Sequence, residues 1–259
     1  MGILNVTPDS FSDGGSYSDG AAAVAAGLAM RDAGADIVDI GGESTRPGAE
    51  PVSSEEERRR VLPVIGALAR AGILVSVDTR HAATMKAALD AGAGIVNDVS
   101  ALTHDPAAAP LLACRDCAVI LMHMRGDPAT MQSLAAYQDV PAEVARELAE
   151  KVAAAERAGI VRARLAVDPG FGFAKRSAQS LALLRGLAAL TALGLPIVVG
   201  VSRKGFIGQV TGVADARSRE AGSLVAGLFA LSQGATILRV HDVSATSQAL
   251  RVREAIMNI

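Results

Sequence analysis

The stretch GILNVTPDSFSDGG, residues 2–15, joins a short apolar run to a polar loop. Its apolar start is typical of a buried strand. Pro8 cannot donate a hydrogen bond to a sheet and disfavours helix at Thr7, so we expect the strand to end near Asn5. The loop that follows is rich in Ser, Asp and Gly and contains Phe11. We expect this loop to be exposed and to close over a ligand.

The same step from an apolar run to a polar loop occurs eight times in the sequence. The predicted strands are residues 2–5, 36–40, 73–77, 94–96, 118–122, 165–167, 197–199 and 236–238. The predicted helices are residues 18–33, 53–71, 82–91, 105–114, 140–158, a helix from 177, 217–233 and a last helix that ends near 256. This alternation is typical of a single-domain (β/α)8 TIM barrel over residues 1–259. A doubly wound open sheet is the alternative, and eight units in this length favour the barrel.

Serine residues mark three of the predicted helix starts. Ser18 and Ser177 are each predicted to cap the N-terminus of a helix. Ser53 is followed three residues later by Glu56, which is the spacing of a capping box.

Composition limits the classes of function. The 25 Lys and Arg residues are balanced by 27 Asp and Glu residues, which predicts no field for nucleic acid or a membrane surface. No apolar run approaches the roughly 20 residues that span a bilayer, and the start lacks the pattern of a secretory signal, so we expect a cytoplasmic protein. Cys114 and Cys117 form one C-x-x-C pair, which is incomplete for zinc. We interpret them as reduced thiols between a helix and a strand.

Polar side chains stand at or just beyond the carboxyl end of nearly every predicted strand. In a barrel these ends meet on one face, where barrel active sites lie. Any single one of them is equally well explained as a solvated strand end, but together they predict a site. The set comprises Asn5, Asp39, Asp78, Asn97, Met122, His123, Asp168, Lys204, Arg239 and His241.

The chemistry of these residues divides into two groups. One group offers acceptors and donors to a flat heterocycle with an amino-amidine edge and a carbonyl. It comprises Asp78, Asn97, Asp168 and Lys204. The other group suits a phosphorylated substituent, and its amide oxygen suits Mg²⁺ if a metal accompanies the phosphate. It comprises Asn5, Thr45, Arg46, Arg239 and His241, with Asn5 as the metal ligand.

In this order the motifs resemble the dihydropteroate synthases of folate synthesis over essentially the whole chain. The motifs are residues 2–15, 39–48, 78–79, 97–98, 122–124, 168–173, 202–204 and 239–242. The resemblance implies a barrel, usually a homodimer, that joins 6-hydroxymethyl-7,8-dihydropterin diphosphate to p-aminobenzoate with magnesium present. It further implies an SN1-like substitution, in which diphosphate leaves first and the aromatic amine captures the cation at the pterin methylene. Sulfonamides are the expected competitors of p-aminobenzoate.

The resemblance also implies a role for individual residues. The residues expected to bind pterin are Asp78, Asn97, Met122, Asp168, Gly200 and Lys204. Those expected to bind diphosphate are Asn5, Thr45, Arg46, Arg239 and His241, and those expected to enclose p-aminobenzoate are Phe11, Pro47, Phe173 and Arg203. The first polar loop contributes Asp9, Ser10, Ser12 and Asp13. The expected catalytic residues are Asp39, Arg46, Lys204, Arg239 and His241.

The chain departs from the family pattern at three places. Gly205 stands where many relatives carry serine, so backbone N–H groups are expected to bind the benzoate carboxylate. Ala174 replaces a frequent glycine. Family members usually have a further stretch before the first strand, so we expect either a barrel bottom without a plug or a late start.

Two other functions are weighed against the synthase. Corrinoid-linked methyltransferases share the pterin-binding barrel but need no diphosphate site, so Asn5, Arg46 and Arg239 favour the synthase. A barrel that binds a pterin or phosphate ligand without turnover is the second alternative. From the sequence alone, Arg239→Ala is expected to weaken binding of the pterin diphosphate and to leave binding of free pterin nearly intact.

Overall fold

The computed structural model of the chain describes residues 1–7, 16–43, 52–127 and 130–258. Its parallel strands are β1 (Gly2–Asn5), β2 (Ile37–Gly41), β3 (Leu74–Asp78), β4 (Ile95–Asp98), β5 (Ala118–Met122), β6 (Leu165–Asp168), β7 (Val198–Val199) and β8 (Ile237–Leu238). The helices are α1 (Ser16–Asp32), α2 (Ser54–Arg70), α3 (Ala82–Asp90), α4 (Ala108–Ala113), α5 (Val140–Arg157), α6 (Ser177–Arg185), α7 (Gly205–Thr211), α8 (Glu220–Ser232) and α9 (Val243–Met257). None of the helices within these ranges is long and apolar enough to cross a membrane.

The strands follow one another around a ring in chain order. Strands β1 to β6 form one sheet in sequential order, and β7 pairs with β8. Single bridges join the two sheets, between Val167 and Ile197 on one side and between Gly2 and Val240 on the other. At the second bridge the Ile3 amide donates to the Val240 carbonyl at 2.9 Å. The predicted (β/α)8 barrel is confirmed. A doubly wound open sheet would reverse its strand order at a switch point, whereas the strands here are in sequential order, so that alternative is wrong.

Strands in this barrel are apolar on both faces. Val38 and Ile40 are wholly buried in the large cluster between strands and helices. A second cluster includes Ile95, Ile120 and Val198. Because successive side chains of a strand point to opposite faces, Asp39 faces the opposite side from Val38 and Ile40, toward the barrel interior. Sequence analysis placed Asp39 at the end of its strand, but β2 continues to Gly41, so that placement is wrong.

Helix starts agree with the sequence at one of three serines. Ser53 caps α2, and its Oγ accepts from the Glu56 amide at 3.2 Å. Glu56 itself pairs with Arg59 and Arg60, so the reciprocal half of the predicted capping box is replaced by ion pairs on the helix surface. The cap predicted at Ser18 is wrong because α1 already begins two residues earlier.

The chain differs from prediction at two further helices. Ser177 is the first residue of α6 rather than its cap, because Arg176 holds the extended conformation before the helix. The helix predicted over 217–233 is divided into a 3-10 turn, Ala216–Ser218, and α8. Cys114 and Cys117 lie between α4 and β5 and are both free, as predicted.

Candidate active site

Arg239, the residue after β8, connects three strands at the carboxyl end of the barrel. Its Nε donates to Asp39 Oδ2 at 2.6 Å, and its Nη2 donates to Asp78 Oδ2 at 2.7 Å. Asn97 Nδ2 donates to the same Asp39 oxygen at 3.1 Å. Residues from β2, β3 and β4 and the residue after β8 therefore form one hydrogen-bonded cluster. The structure brings together side chains that the sequence assigned to both chemical groups.

Burial controls the charges in this cluster. Burial raises the pKa of Asp78 to about 7, against the effect of Arg239, and Asp39 adds to the rise. Burial opposes the charge on Arg239, but Asp39 and Asp78 raise its pKa above the ordinary arginine value. The other Asp39 oxygen, Oδ1, is buried and has no hydrogen-bond partner in the described part of the chain. This oxygen is an acceptor available to a donor or a cation.

Asp168 at the end of β6 lies beside the same cluster. Its Oδ1 accepts from the Gly170 amide at 2.7 Å. A Cβ atom at Gly200 would lie 3.9 Å from Asp168 Oδ2 and 4.0 Å from two Arg239 side-chain carbons, so Gly200 leaves the space between them open. Burial raises the pKa of Asp168, while the Gly170 amide and Lys204 oppose the rise.

Two residues predicted to bind different substrates are in direct contact. Lys204 Nζ lies 4.6 Å from the centroid of the Phe173 ring, within the range of a cation–π interaction. Phe173 also packs on the cluster that contains Met122, which is almost fully buried. Gly172 has φ 81°, a backbone conformation that favours glycine, and a Cβ there would be in ordinary contact with Lys204 Cδ at 3.7 Å. The predicted pterin and aminobenzoate residues therefore share a boundary.

His241 is fixed by a hydroxyl from the neighbouring strand end. Ser202 Oγ accepts from the His241 backbone amide at 3.2 Å and lies 3.0 Å from its Nδ1. Burial is the main cause that lowers the pKa of His241 to about 4, and Arg203 and Arg239 contribute to the lowering. The ring is therefore neutral at pH 7. In the tautomer that carries its proton on Nε2, Nδ1 accepts from the Ser202 hydroxyl, whose oxygen still accepts from the His241 backbone amide.

The other predicted residues take different positions. Arg203 adopts a left-handed backbone, with φ 61°, and its guanidinium pairs with Asp242, with Nε at 3.2 Å from Oδ2. Asn5 lies close to Asp78, since a Cβ at Gly41 would lie 3.9 Å from Asn5 Oδ1 and 3.5 Å from Asp78 Cβ. Eight predicted residues lie outside the described part of the chain. They are Asp9, Ser10, Phe11, Ser12, Asp13, Thr45, Arg46 and Pro47.

His123 is not part of the open site, although the sequence placed it among the strand-end residues. The residue is wholly buried, and its Nε2 lies 2.9 Å from Glu147 Oε2 on α5. Its Nδ1 lies 2.8 Å from Nζ of Lys175, a buried lysine that sequence reasoning did not single out. The only signal for Lys175 was its place at the end of the glycine-rich loop after β6.

Comparison with known proteins identifies the family of this chain. The model of the family described as pterin binding enzyme matches residues 1–241. The chain belongs to this family. It is 48% identical over 259 residues to the dihydropteroate synthase of Escherichia coli strain K12, which covers 100% of this chain and 91% of that protein.

Solved structures of family members give the same result. The Xanthomonas albilineans dihydropteroate synthase with 4-aminobenzoic acid has a TM-score of 0.94 and 50% identity, covering 100% of this chain and 93% of that one. The Yersinia pestis enzyme in a sulfonamide drug complex has a TM-score of 0.94 and 43% identity, covering 100% and 94%. The activity of the chain is that of the dihydropteroate synthases, transferases of alkyl or aryl groups in folate biosynthesis. The predicted family, fold and activity are confirmed.

Proposed function

We propose that the carboxyl end of the barrel binds 6-hydroxymethyl-7,8-dihydropterin diphosphate with its ring and its diphosphate on either side of Arg239. The observation that carries this proposal is the shared guanidinium, which contacts Asp39 and Asp78 and belongs to the predicted diphosphate group. A carboxylate and an anion bound to one guanidinium are held within a few ångströms of each other. Such a short link matches a substrate in which one methylene joins the pterin to the diphosphate.

The pterin ring is proposed to bind protein acceptors along one edge and protein donors along the other. Asp78 and Asp168 accept from the amino-amidine edge, while Asn97 and Lys204 complete the polar contacts. Met122 packs against the ring, and the absent side chain at Gly200 leaves room for it. Asp78, Asn97, Met122 and Asp168 come from different strands, and Lys204 comes from the loop between β7 and α7, so most of these contacts are provided by the barrel itself.

The residues on the diphosphate side of the site are proposed to stabilise diphosphate as it departs. His241 donates through Nε2–H and Arg239 supplies a permanent positive charge, with Asn5, Thr45 and Arg46 completing the set. Asp78 and Asp168 place negative charge near the cation that forms at the pterin methylene. Asp39 keeps Arg239 in place, and no protein nucleophile is required. These charges suit an SN1-like substitution.

The second substrate is proposed to be p-aminobenzoate, and sulfonamides are proposed to compete with it. Relatives with 4-aminobenzoic acid and with a sulfonamide drug support this assignment. Phe173 and Arg203 provide an aromatic face and a cation for a benzoate, together with Phe11 and Pro47. Gly205 is the first residue of α7, where backbone N–H groups have no acceptor within the helix, so its N–H is proposed to bind the carboxylate.

Magnesium is proposed to accompany the diphosphate. In residues 1–7, 16–43, 52–127 and 130–258, no three His, Cys, Asp or Glu side chains form a metal cluster. Mg²⁺ needs no such cluster, because it usually takes one or two protein oxygens and completes its shell with waters and phosphates. The residues fit this pattern: the Asn5 amide oxygen would hold the ion, and Asp39 Oδ1, which has no hydrogen-bond partner among the described residues, is a second oxygen donor. When bound, magnesium would neutralise charge on the leaving diphosphate.

A homodimer is proposed from the apolar face of the last three helices. Large apolar side chains are exposed there, with exposed fractions from 41% at Phe229 to 69% at Val225. They are Val210, Val225, Phe229, Val252, Ile256 and Met257. Helix α8 contacts both α7 and α9, so these apolar side chains lie on neighbouring helices, which supports a protein interface there. Light scattering is expected to give a dimer mass, and Val225→Asp is expected to give a monomer.

A cytoplasmic location is also proposed, supported by the two free cysteines.

The experiment that tests the function follows diphosphate and dihydropteroate together. Purified protein receives the pterin diphosphate and magnesium, with and without p-aminobenzoate. We expect diphosphate release that depends on p-aminobenzoate and matches the product in amount. Pterin binding without product would favour a methyltransferase-like or purely binding role. Loss of product after chelation, restored by added Mg²⁺, is the expected result for the proposed metal.

A further inference from the structure

Lys175 is a buried lysine next to the loop that joins β6 to α6. Only 3% of the residue is exposed. Its Nζ lies 2.8 Å from His123 Nδ1, 3.1 Å from the Gly170 carbonyl and 2.9 Å from the Phe173 carbonyl. An ammonium group has three N–H donors, so each donor has one acceptor. Full satisfaction of a buried cation is the condition under which its charge is tolerated inside a protein.

Two of these acceptors belong to the turn that connects the two halves of the substrate pocket. The Gly170 amide donates to Asp168 Oδ1 at 2.7 Å, and the Phe173 amide donates to the Gly170 carbonyl at 3.1 Å. Lys175 binds that same Gly170 carbonyl and the carbonyl of Phe173. Ala174, with φ 49°, turns the chain so that Lys175 reaches back to both. The ammonium therefore ties the two ends of the turn together.

The third acceptor links this turn to α5. His123 is neutral, because burial and the Lys175 charge lower its pKa to about 3. Its Nε2–H then donates to Glu147 Oε2 at 2.9 Å, and its Nδ1 accepts from Lys175. Arg125 Nε also donates to Glu147 Oε2, at 3.1 Å. We call Glu147, His123 and Lys175 the polar triad. It connects a helix outside the barrel to the loop inside the site.

We propose that Lys175 is a positioning residue, which acts through the polar triad to hold Asp168 toward the pterin and Phe173 toward p-aminobenzoate. Lys175 does not touch either substrate. The inference rests on the proposed function, because the pocket it supports is the one assigned there. Its effect comes from the three hydrogen bonds of the ammonium, which fix the loop before substrate arrives.

The ammonium form is required by this geometry. A neutral amine keeps two donors and gains a lone pair, so one of the three acceptors would lose its partner. Burial is the main cause that lowers the pKa of Lys175 to about 7; Arg125 and Lys204 contribute to the lowering, while Asp168 and Glu147 oppose it. We therefore expect kcat/KM to fall as pH rises through about 7.

The test compares Lys175→Met with Lys86→Met. Methionine keeps the length of the side chain and removes all donors, and Lys86 is an exposed lysine of α3 paired with Asp90. We expect Lys175→Met to lower kcat/KM by about tenfold to a hundredfold, as expected for a displaced reacting group. We also expect it to remove the fall on the alkaline side, whereas Lys86→Met keeps both rate and pH profile. A Lys175→Met enzyme with wild-type kinetics and the wild-type pH profile would overturn the proposal.

A second variant keeps the lysine and covers the case in which Lys175→Met does not fold. Glu147→Gln removes a negative charge that raises the pKa of Lys175, so the alkaline fall in kcat/KM is expected at lower pH. An unchanged position of the fall would contradict the proposal.

Binding of free pterin, measured by calorimetry, separates the role proposed for Lys175 from the proposed function. If the wild-type chain makes no dihydropteroate, the proposed function fails. Lys175→Met must nevertheless weaken pterin binding through Asp168, and unchanged binding would overturn the role of Lys175.

Discussion

Asp39 and Arg239 are separated by 200 positions in the chain, yet Arg239 Nε donates to Asp39 Oδ2 at 2.6 Å. This contact spans the barrel from β2 to the residue after β8. It also adds a role for Arg239, which the sequence predicted only as a ligand for the diphosphate. In the structure the same guanidinium pairs with the buried Asp39 and the partly exposed Asp78, so anion binding and charge balance in the pocket depend on one side chain.

Arg239→Ala is expected to destabilise the protein and to weaken binding of free pterin as well as of the pterin diphosphate. The sequence alone predicted an effect on the diphosphate form only. Removing one partner of a buried ion pair costs about 3–5 kcal/mol, since the other charge stays buried. Denaturant unfolding measures the loss, and Asp39→Asn in the Arg239→Ala background should recover part of it. A single variant as stable as wild type would contradict this expectation, and Arg146→Ala in an exposed pair is the control.

Binding of free pterin is expected to release protons, with Asp78 as the main source. Because the pKa of Asp78 is raised to about 7, much of this carboxyl is protonated below that pH, whereas the pterin N–H donors require the carboxylate. Affinity should therefore fall as pH decreases below about 7. Calorimetry in buffers of different ionisation enthalpy measures the released protons at acidic and alkaline pH. Asp78→Asn is expected to bind weakly and to release fewer, and equal release from this variant would exclude Asp78 as the source.

The same raised pKa predicts the sign of a stability effect. Between pH 3.8, the ordinary Asp value, and about 7, the folded protein retains a proton on Asp78 that the unfolded chain has lost. Stability therefore decreases as pH rises through this window, as far as Asp78 contributes. Unfolding free energies of wild type and Asp78→Asn across that range isolate the contribution. A difference that does not vary with pH would contradict it.

Ser202→Ala is expected to act on the diphosphate and not on the pterin ring. Without the hydroxyl, His241 Nδ1 loses its donor, and the ring is free to place its proton on either nitrogen. Loss of one such hydrogen bond corresponds to about a tenfold fall in kcat/KM for the pterin diphosphate. The affinity for free pterin should be unchanged. Ser232→Ala, which removes a hydroxyl bonded to the Phe229 carbonyl on the surface of α8, is the matched control. Equal weakening of both ligands would contradict the role of Ser202.

Gly170→Ala is expected to damage the site by moving its loop. Gly170 has φ 67°, and a Cβ there would lie 2.0 Å from the His123 carbonyl oxygen. Gly72 has a similar φ of 76°, but a Cβ there would meet nothing within 4 Å. The left-handed backbone alone costs roughly 1–2 kcal/mol, so Gly72→Ala measures that cost. Gly170→Ala should lose more stability and should also lose activity. Equal unfolding free energies and full activity in both variants would show that the loop accommodates a side chain.

The sequence predicted the site best where chemistry and strand ends coincide. Asp78, Asn97 and Asp168 end short apolar runs, and parallel strands bring their ends together whatever the details of packing. Asp39 was found for its charge but placed wrongly, because hydrogen bonding to neighbouring strands carries β2 to Gly41. Strand limits depend on pairing between distant segments, which a local pattern does not contain.

Other parts of the site depend on contacts that a local sequence pattern does not predict. Lys175 follows a glycine-rich loop like many surface lysines, and only folding places it beside His123 and two carbonyls. Ser202 belonged to a recognised motif, but its bond to His241 joins residues 39 positions apart. Such pairs come from the closing of the barrel, so sequence chemistry suggests the participants without giving their partners.

Strand pairing is uneven around the barrel. Six strands share continuous ladders, whereas β7 and β8 form a separate pair attached by one bridge on each side. Asp78 and Asp168 belong to the six-stranded sheet, whereas Lys204 and His241 follow β7 and β8 in the chain. A substrate that contacts residues of both groups therefore connects the six-stranded sheet to the pair of strands β7 and β8. Amide hydrogen exchange in β7 and β8 should slow more on ligand binding than exchange in β2 to β5.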